Sequence, residues 1–540
     1  MDYKERCKYL ENRIKHLNLI GIALSTEENL DKLFEMIMDE AKHITNADGR
    51  TLYMKTDDSK QLKFEILLND SMGSAMGGTS GNEVTLPPVE LFNPEGKPNE
   101  ANVAAYVANT GKTVNINDAY EEEGFDFSGT KGFDKMTGYR SKSFLTVPLK
   151  NHENEIIGVM QLINSINKET GKTLSFSDEM QTQIESLCSQ GAVALTNNRL
   201  VKELKTLFEA FIQLIAKAID EKSPYTGGHC ERVPEITMML ADAVEKVDYG
   251  KYKDFSMTEE ERYELYIAGW LHDCGKVATP PHIVDKGTKL ETIFDRIEII
   301  KTRFEVIKRD AEIEYLRKKI SLLEKGETDS TLSQDLKNKI NQIEDERLFV
   351  EKANIGGEFM NEEDQNRIKE ISDKYIWNNN GSEESFLTDI EVSNLCIPKG
   401  TLLPDEREII NDHIRITIDM LERLPYPKHL KNVPEFAGGH HEKLDGTGYP
   451  KGLKDKEMSV QAKMMAIADI YEALTAADRP YKDGKKLSQA MRIMGFMKND
   501  YEIDKDLFEI FVKEGVYKKY AQKYVEKDQI DSVKESEVLK

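Results

Sequence analysis

The sequence predicts a multidomain chain: an α/β domain with an antiparallel sheet and helices, then an all-α domain interrupted by a helical hairpin. Three observations predict it. Short β-rich runs joined by polar turns occur only before about residue 180. Beyond that point apolar residues recur at helical spacing. Between about residues 290 and 399 a second set of helical stripes splits the C-terminal half.

Length and charge bound the reading. At roughly 150 residues per domain, 540 residues suggest about three to four units. The net charge of −23 opposes broad nucleic-acid coating and anionic-membrane binding, so DNA is not an expected partner. No run approaches ~20 apolar residues, so no transmembrane helix is expected. The N-terminus, Met1 to Arg6, is charged and leads into no apolar segment, so no signal peptide is expected. The five cysteines (Cys7, Cys188, Cys230, Cys274, Cys396) form no CxxC pair. That excludes a disulfide framework and a thiolate zinc site and predicts a cytoplasmic protein.

Residues 1–20 read as a charged helix. Leu30, Leu33, Ile37 and Ala41 then recur at helical spacing. The stretch from about Asn69 to Pro98, rich in Gly, Ser, Asn and Pro, reads as loop. Phe144–Leu149 and Ile156–Ile163, joined by the polar residues 151–155, read as a β-hairpin. Gln181 to Asp220 reads as one long helix. Its Leu200, Leu204, Leu207, Phe211 and Leu214 step 4, 3, 4, 3, a heptad seam. That seam fits a parallel coiled coil joining two subunits, and also an ordinary amphipathic helix packed on its own domain. Further on, Ile293, Ile297, Ile300, Phe304 and Ile307 repeat the pattern, and Leu316, Ile320 and Leu323 continue it after a phase break. Gly326–Ser330 is a turn, and Leu332, Leu336, Ile340 and Ile343 form the returning stripe of an antiparallel hairpin.

Chemistry concentrates in one series. Five of the ten histidines (His229, His272, His413, His440, His441) fall in order with Asp273 and Asp469. Imidazole with carboxylate suits iron, manganese or zinc, and a carboxylate can bridge two ions. Asp469 lies inside the apolar helix Met464–Tyr471, where a charged group needs a partner. Lys276 follows the His272-Asp273 pair by about one turn, and Gly446–Pro450 is a tight loop after His440-His441. Each element alone is weak, since a lone histidine on an apolar helix is usually a hydrogen-bonded core residue. His16, His43, His152, His282 and His429 take that bland reading.

Two resemblances follow from these strings. Asn102–Val107, Thr137–Ser143 and the hairpin resemble a GAF domain, a small-molecule sensing module with a central antiparallel sheet. Asn167-Lys168 and Asp178-Glu179 match positions of the GAF domains that accompany cyclic-nucleotide phosphodiesterases; Leu174 stands where those carry Phe, and Phe176 lies two residues before Asp178. The resemblance leaves open a small-molecule or cyclic-nucleotide ligand and a GAF domain used only for dimerisation and relay. His272–Lys276 and His440–Pro450 resemble the signature motifs of HD-GYP phosphodiesterases, all-helical members of the HD metal-dependent phosphohydrolases. Pro224–His229 with Arg232-Val233, and Arg479–Lys482, are similar to that family's opening and closing motifs.

The resemblance implies hydrolysis of cyclic di-GMP to linear pGpG or onward to GMP. It implies His229, His272, Asp273, His413, His440, His441 and Asp469 as metal ligands, with Asp273 bridging two divalent ions, iron or manganese. Lys276 would contact the scissile phosphate. Tyr449 and Gly448 would shape the pocket, and Arg479 and Lys482 would hold substrate phosphates. Three-metal members carry Glu where Tyr225 stands here, so two ions are expected rather than three. A phosphodiester is anionic and repels hydroxide, so charge neutralisation and positioning are what a catalyst must supply. The alternatives are another cyclic dinucleotide such as cyclic GMP-AMP, a catalytically slow signalling scaffold, and a diiron oxygenase; the Gly-Tyr-Pro loop with Arg479 and Lys482 opposes the last. The expected domains are the N-terminal helix at 1–20, a GAF sensor at 21–180, a connecting helix at 181–220 and an HD-type domain at 208–540 carrying the insertion. A homodimer is the expected assembly.

Overall fold

A computed structural model describes residues 18–222, 228–356, 359–379, 381–477 and 484–540. Most of the expected N-terminal helix, Tyr225, Arg479 and Lys482 lie outside the described residues. The chain divides into two compact units, Met1–Leu207 and Phe208–Lys540. Among the described residues, no helix is long and apolar enough to cross a membrane.

In the first unit, α1 (Leu30–Thr45) starts on Asn29, whose side chain accepts from Lys32 N, and ends on Asn46 in the left-handed region. The antiparallel sheet runs β3-β2-β1-β7-β6-β5, with β4 on β2 and β8 on β7. Its strands are β1 (Ala47–Lys55), β2 (Gln61–Asn69), β3 (Ser74–Gly77), β4 (Val89–Glu90), β5 (Val114–Ile116), β6 (Phe144–Lys150), β7 (Ile156–Ile166) and β8 (Thr173–Leu174). The expected hairpin is β6–β7, in which Val147 pairs with Met160. Asn151 builds its turn by accepting from the amides of Glu153 and Glu155. The stretch from Asn69 to Pro98 is not all loop. β3 and β4 form there as pieces of four and two residues. Runs so short carry no readable alternation; pairing with β2 makes them strands.

The residues that carried the GAF resemblance serve local structure. Asn102 caps α2 (Val103–Thr110) by accepting from Ala105 N. After α3 (Ser128–Thr137), Tyr139 donates to buried Asp48 (2.6 Å), and Asn164 accepts from Lys142 N and Ser143 N. Asn167 closes a turn by accepting from Glu169 N and Thr170 N. Phe176 is buried in the core with Leu33, Met160 and Ile184. Asp178 opens α4 (Asp178–Asp220), a 43-residue helix that begins three residues before the expected Gln181. Its seam is uncovered: Leu200, Leu204, Leu207, Phe211 and Leu214 are all about half exposed or more.

The second unit is helical. Around one core pack α5 (His229–Lys246), α6 (Glu259–Leu271), α11 (Pro404–Leu421), α12 (Val433–Gly438), α13 (Val460–Thr475), α14 (Leu487–Asn499), α15 (Lys505–Lys513) and α16 (Val516–Tyr524). The insertion has a core of its own. It comprises α7 (Ile297–Glu324), α8 (Leu332–Asn354), α9 (Glu362–Lys374), the two-stranded hairpin β9 (Ile376–Asn379) and β10 (Ser382–Ser385), and α10 (Asp389–Leu395). Ile300, Phe304, Ile343, Val350, Ile368 and Phe386 fill its interior. Lys286 ties the insertion to the main core by donating to Asn394 Oδ1 (2.8 Å) and Glu406 Oε2 (2.7 Å).

Candidate metal centre

Five elements converge on one point. His229 is the first residue of α5, entered through Gly228 at φ 81°. Asp220 accepts from Gly228 N and Cys230 N there, satisfying amides that the helix cannot. Helix α6 starts with a Thr258–Glu261 capping box and ends on His272. Asp273 then leads into a tight turn, Cys274–Ala278; the carbonyls of Lys276 within it and of Thr279 at its end accept from Lys222 Nζ. Gly275 lets this turn lie against α11. A Cβ there would stand 2.0 Å from the His413 carbonyl oxygen, and Gly275 N donates to Thr417 Oγ1 at 2.9 Å. His440 and His441 follow α12, and α13 supplies Asp469.

The loop after the histidine pair is pinned from behind. The buried carboxylate of Glu442 accepts from Lys451 N (2.7 Å) and Leu453 N (2.8 Å). A Cβ on Gly448 would meet Lys443 N at 2.3 Å, so only glycine fits. The Tyr449 ring stacks on His441, with centroids 4.9 Å apart and 20° between planes.

Three groups place one ligand atom per residue within 4.8 Å of each other: His413, His440 and His441; His229, His272 and Asp469; His272, Asp273 and His440. Asp273 faces two ways. Its Oδ2 lies 3.1 Å from His229 Nε2 and 3.3 Å from His272 Nε2, and its Oδ1 lies 3.1 Å from His413 Nε2. His272 and His440 turn Nδ1 onto the carbonyl three residues earlier, at Gly269 (2.7 Å) and Ala437 (2.6 Å), and His413 does the same at Ile410. This leaves Nε2 of each facing inward.

A metal fits this donor set. Among the described residues, His413 Nε2, His440 Nε2 and Asp273 Oδ1 are buried and make no hydrogen bond; the first and last stand 3.1 Å apart but are not aligned for one. Buried polar atoms of this kind are rare unless a ligand satisfies them. The spacing agrees: neighbouring ligands on an ion bonded at ~2.1 Å stand about 3.0–3.4 Å apart.

The electrostatics suit cations. Burial alone would raise the Asp273 carboxyl, but Lys276, His272 and His229 outweigh it and hold it well below the ordinary range. Asp469 is depressed in the same way, burial being overcome by His229, His440 and His441. Burial together with neighbouring imidazoles keeps His440 neutral, and burial pulls His441 down to about 4, so both present lone pairs. At His229 burial opposes protonation, yet Glu472, Asp273 and Asp469 prevail and raise it well above its usual value. Positive charge is what that end of the site stabilises.

His229, His272, Asp273, His413, His440, His441 and Asp469 therefore come together, with Tyr449 against His441 and Gly448 behind it. Lys276 donates to Asp273 Oδ2 at 2.5 Å. Arg479, Lys482 and Tyr225 lie outside the described residues. His282 is exposed and joins none of the three groups.

Sequence reasoning passed over one residue at the centre. Glu472, one turn after Asp469 and 1% exposed, holds His229 Nδ1 at 2.5 Å through Oε2. Its Oε1 accepts from Arg232 Nε at 2.7 Å. A second acid one turn along the apolar segment that holds Asp469 was the available signal.

Family models agree with this architecture. The GAF domain family model matches residues 29–195, and HD domain models match 226–348 and 390–507. The chain thus carries a GAF domain and HD-domain sequence. A cyclic di-GMP phosphodiesterase of Thermotoga maritima is 36% identical over 125 residues, 21% of this chain and 33% of that protein. The 3'3'-cGAMP-specific phosphodiesterase 1 of Vibrio cholerae is 41% identical over 81 residues, 15% of this chain and 19% of that protein. The chain thus spans a third or less of the length of these relatives. Among solved structures, the GAF domain from an Acinetobacter phosphoenolpyruvate-protein phosphotransferase matches at 15% identity and TM-score 0.26, covering 35% of this chain and 96% of that one.

Proposed function

We propose that the chain is a metal-dependent phosphodiesterase that hydrolyses cyclic di-GMP to pGpG or GMP, with an HD-GYP type catalytic domain regulated by its GAF domain. The observation that carries the reading is the set of inward-facing histidine nitrogens around the two-faced carboxylate of Asp273. His229, His272, Asp273 and Asp469 would hold one divalent ion and His413, His440, His441 and Asp273 a second, iron or manganese by donor type. Such ions supply Lewis acidity and lower the pKa of a bound water.

The chain's own groups do the rest. The Lys276 ammonium sits at the edge of Asp273, where it would meet the charge of a scissile phosphate. Tyr449, pushed up to about 12 chiefly by burial, stays protonated at neutral pH and walls the site beside His441. Arg479 and Lys482 would grip phosphate, the first with its planar fork. We assign the GAF sensor to 21–180, the connecting helix to 181–220 and the catalytic domain to 208–540, with its insertion at about 290–399. The exposed seam on α4 would pair with a second copy in a cytoplasmic homodimer, and a small molecule in the GAF domain would bias that pair.

Cyclic GMP-AMP is the second reading, favoured by the Vibrio relative. Assaying anaerobic protein loaded with iron(II) or manganese(II) against both dinucleotides separates them. Turnover of cyclic di-GMP that is abolished by Asp273→Asn supports the proposal. Bound metal without turnover of either substrate refutes it.

A further inference from the structure

Helix α7 is apolar on two faces. One face, Ile297, Ile300, Phe304, Ile307 and Ala311, is buried in the insertion's core. At about 100° per residue that line continues through Tyr315 and Leu322, both half-buried. Ile313, Leu316, Ile320 and Leu323 fall on the opposite face. They are 44%, 52%, 55% and 62% exposed. The phase break in the sequence is thus a change of face.

The outer stripe steps 3, 4, 3, the a–d–a–d spacing of a coiled-coil seam. Glu312 and Lys319 flank it at the g positions, and Arg317 and Glu324 at the e positions. Among the described residues, none of these four forms an ion pair, whereas Glu314 and Lys318, towards the inner face, pair with each other at 2.7 Å. The flanks complement themselves. Two parallel copies of α7 bring Glu312 to the Arg317 of the other chain and Lys319 to Glu324. Two antiparallel copies bring Glu312 to Lys319 and Arg317 to Glu324. Each pairing joins opposite charges.

We propose that the outer face of α7 is an interaction surface whose occupant is the same helix of a second copy of this chain. It is separate from the seam on α4 and independent of the proposed enzymatic activity. Self-complementary flanks in both directions specify a like partner, because a helix of unrelated sequence would have to reproduce the same charge order.

The test is sedimentation of the full chain over a range of concentrations, repeated in a Leu204→Glu background so that association through α4 is not counted. Leu316→Glu with Ile320→Glu should weaken self-association at least about tenfold. Its thermal midpoint should match the parent's, since both positions are exposed. Glu312→Lys should weaken association too. Restoration by Arg317→Glu would identify parallel pairing, and restoration by Lys319→Glu antiparallel pairing. Identical mass at every concentration for the parent and the Leu316→Glu/Ile320→Glu variant overturns the proposal and leaves this face to a different chain.

Discussion

Replacing Glu472 with Gln tests whether the centre is positioned from behind. The substitution preserves shape and removes one charge. Glu472 touches both His229 Nδ1, at 2.5 Å, and Arg232 Nε, at 2.7 Å. Burial would raise its carboxyl, but His229 and Arg232 hold it at about 2, so it is ionised at neutral pH. A ligating imidazole backed by a carboxylate is oriented and made more basic, and losing such a partner typically costs 10–100-fold in metal affinity. That range corresponds to about 1.4–2.7 kcal/mol. Competition with a calibrated chelator, followed by metal counting, should show the loss at the His229 end and a smaller change at the His413 end. Glu472→Asp keeps the charge but falls one methylene short, and should retain part of the affinity. If Glu472→Gln holds metal as tightly as the parent, His229 is positioned by something else and the reasoning fails.

Other expectations follow from packing and charge. Gly275→Ala drives a Cβ onto the His413 carbonyl oxygen, and overpacking of this kind costs about 1–3 kcal/mol, so the thermal midpoint and metal content should fall together. Phe304→Ala removes a ring packed 4.5 Å from Phe386, at about 3–5 kcal/mol. Hydrogen exchange should then rise across α7–α10 while α5 and α13 stay protected, because the two cores are separate. Glu344 is held at about 2 by hydrogen bonds from Arg347 and Lys308. Its folded pKa lies below its unfolded one, so its contribution to the α7–α8 hairpin is complete above the ordinary carboxylate range and fades as pH falls towards about 2. Circular dichroism on acidification should show Glu344→Gln with a smaller change across that window than the parent.

Local rules were legible where the physics is local. The hairpin of β6 and β7, with its Asn151 turn, follows from two short β-rich apolar runs and the turn chemistry between them, all within about twenty residues. The stripe on α7 and α8 follows from helical spacing. The short strands β3 and β4 were not legible, because their identity depends on a partner rather than on their own residues. Both stripes on α7 could be seen as apolar, but spacing cannot say which face another helix covers.

The same division runs through the centre. By itself the sequence determined that five histidines and two aspartates stand in order, in strings specific enough to point to a phosphohydrolase. Residue type and spacing along the chain are properties of the chain alone. Only the tertiary structure decided that Asp273 presents one oxygen to each side, that three backbone carbonyls turn the Nε2 atoms inward, and that Glu472 stands behind His229. Asp469 and Glu472 look alike along their apolar helix. Their roles part because one carboxylate faces the shared interior and the other ends on Nδ1 and a guanidinium, a difference set by how five elements pack.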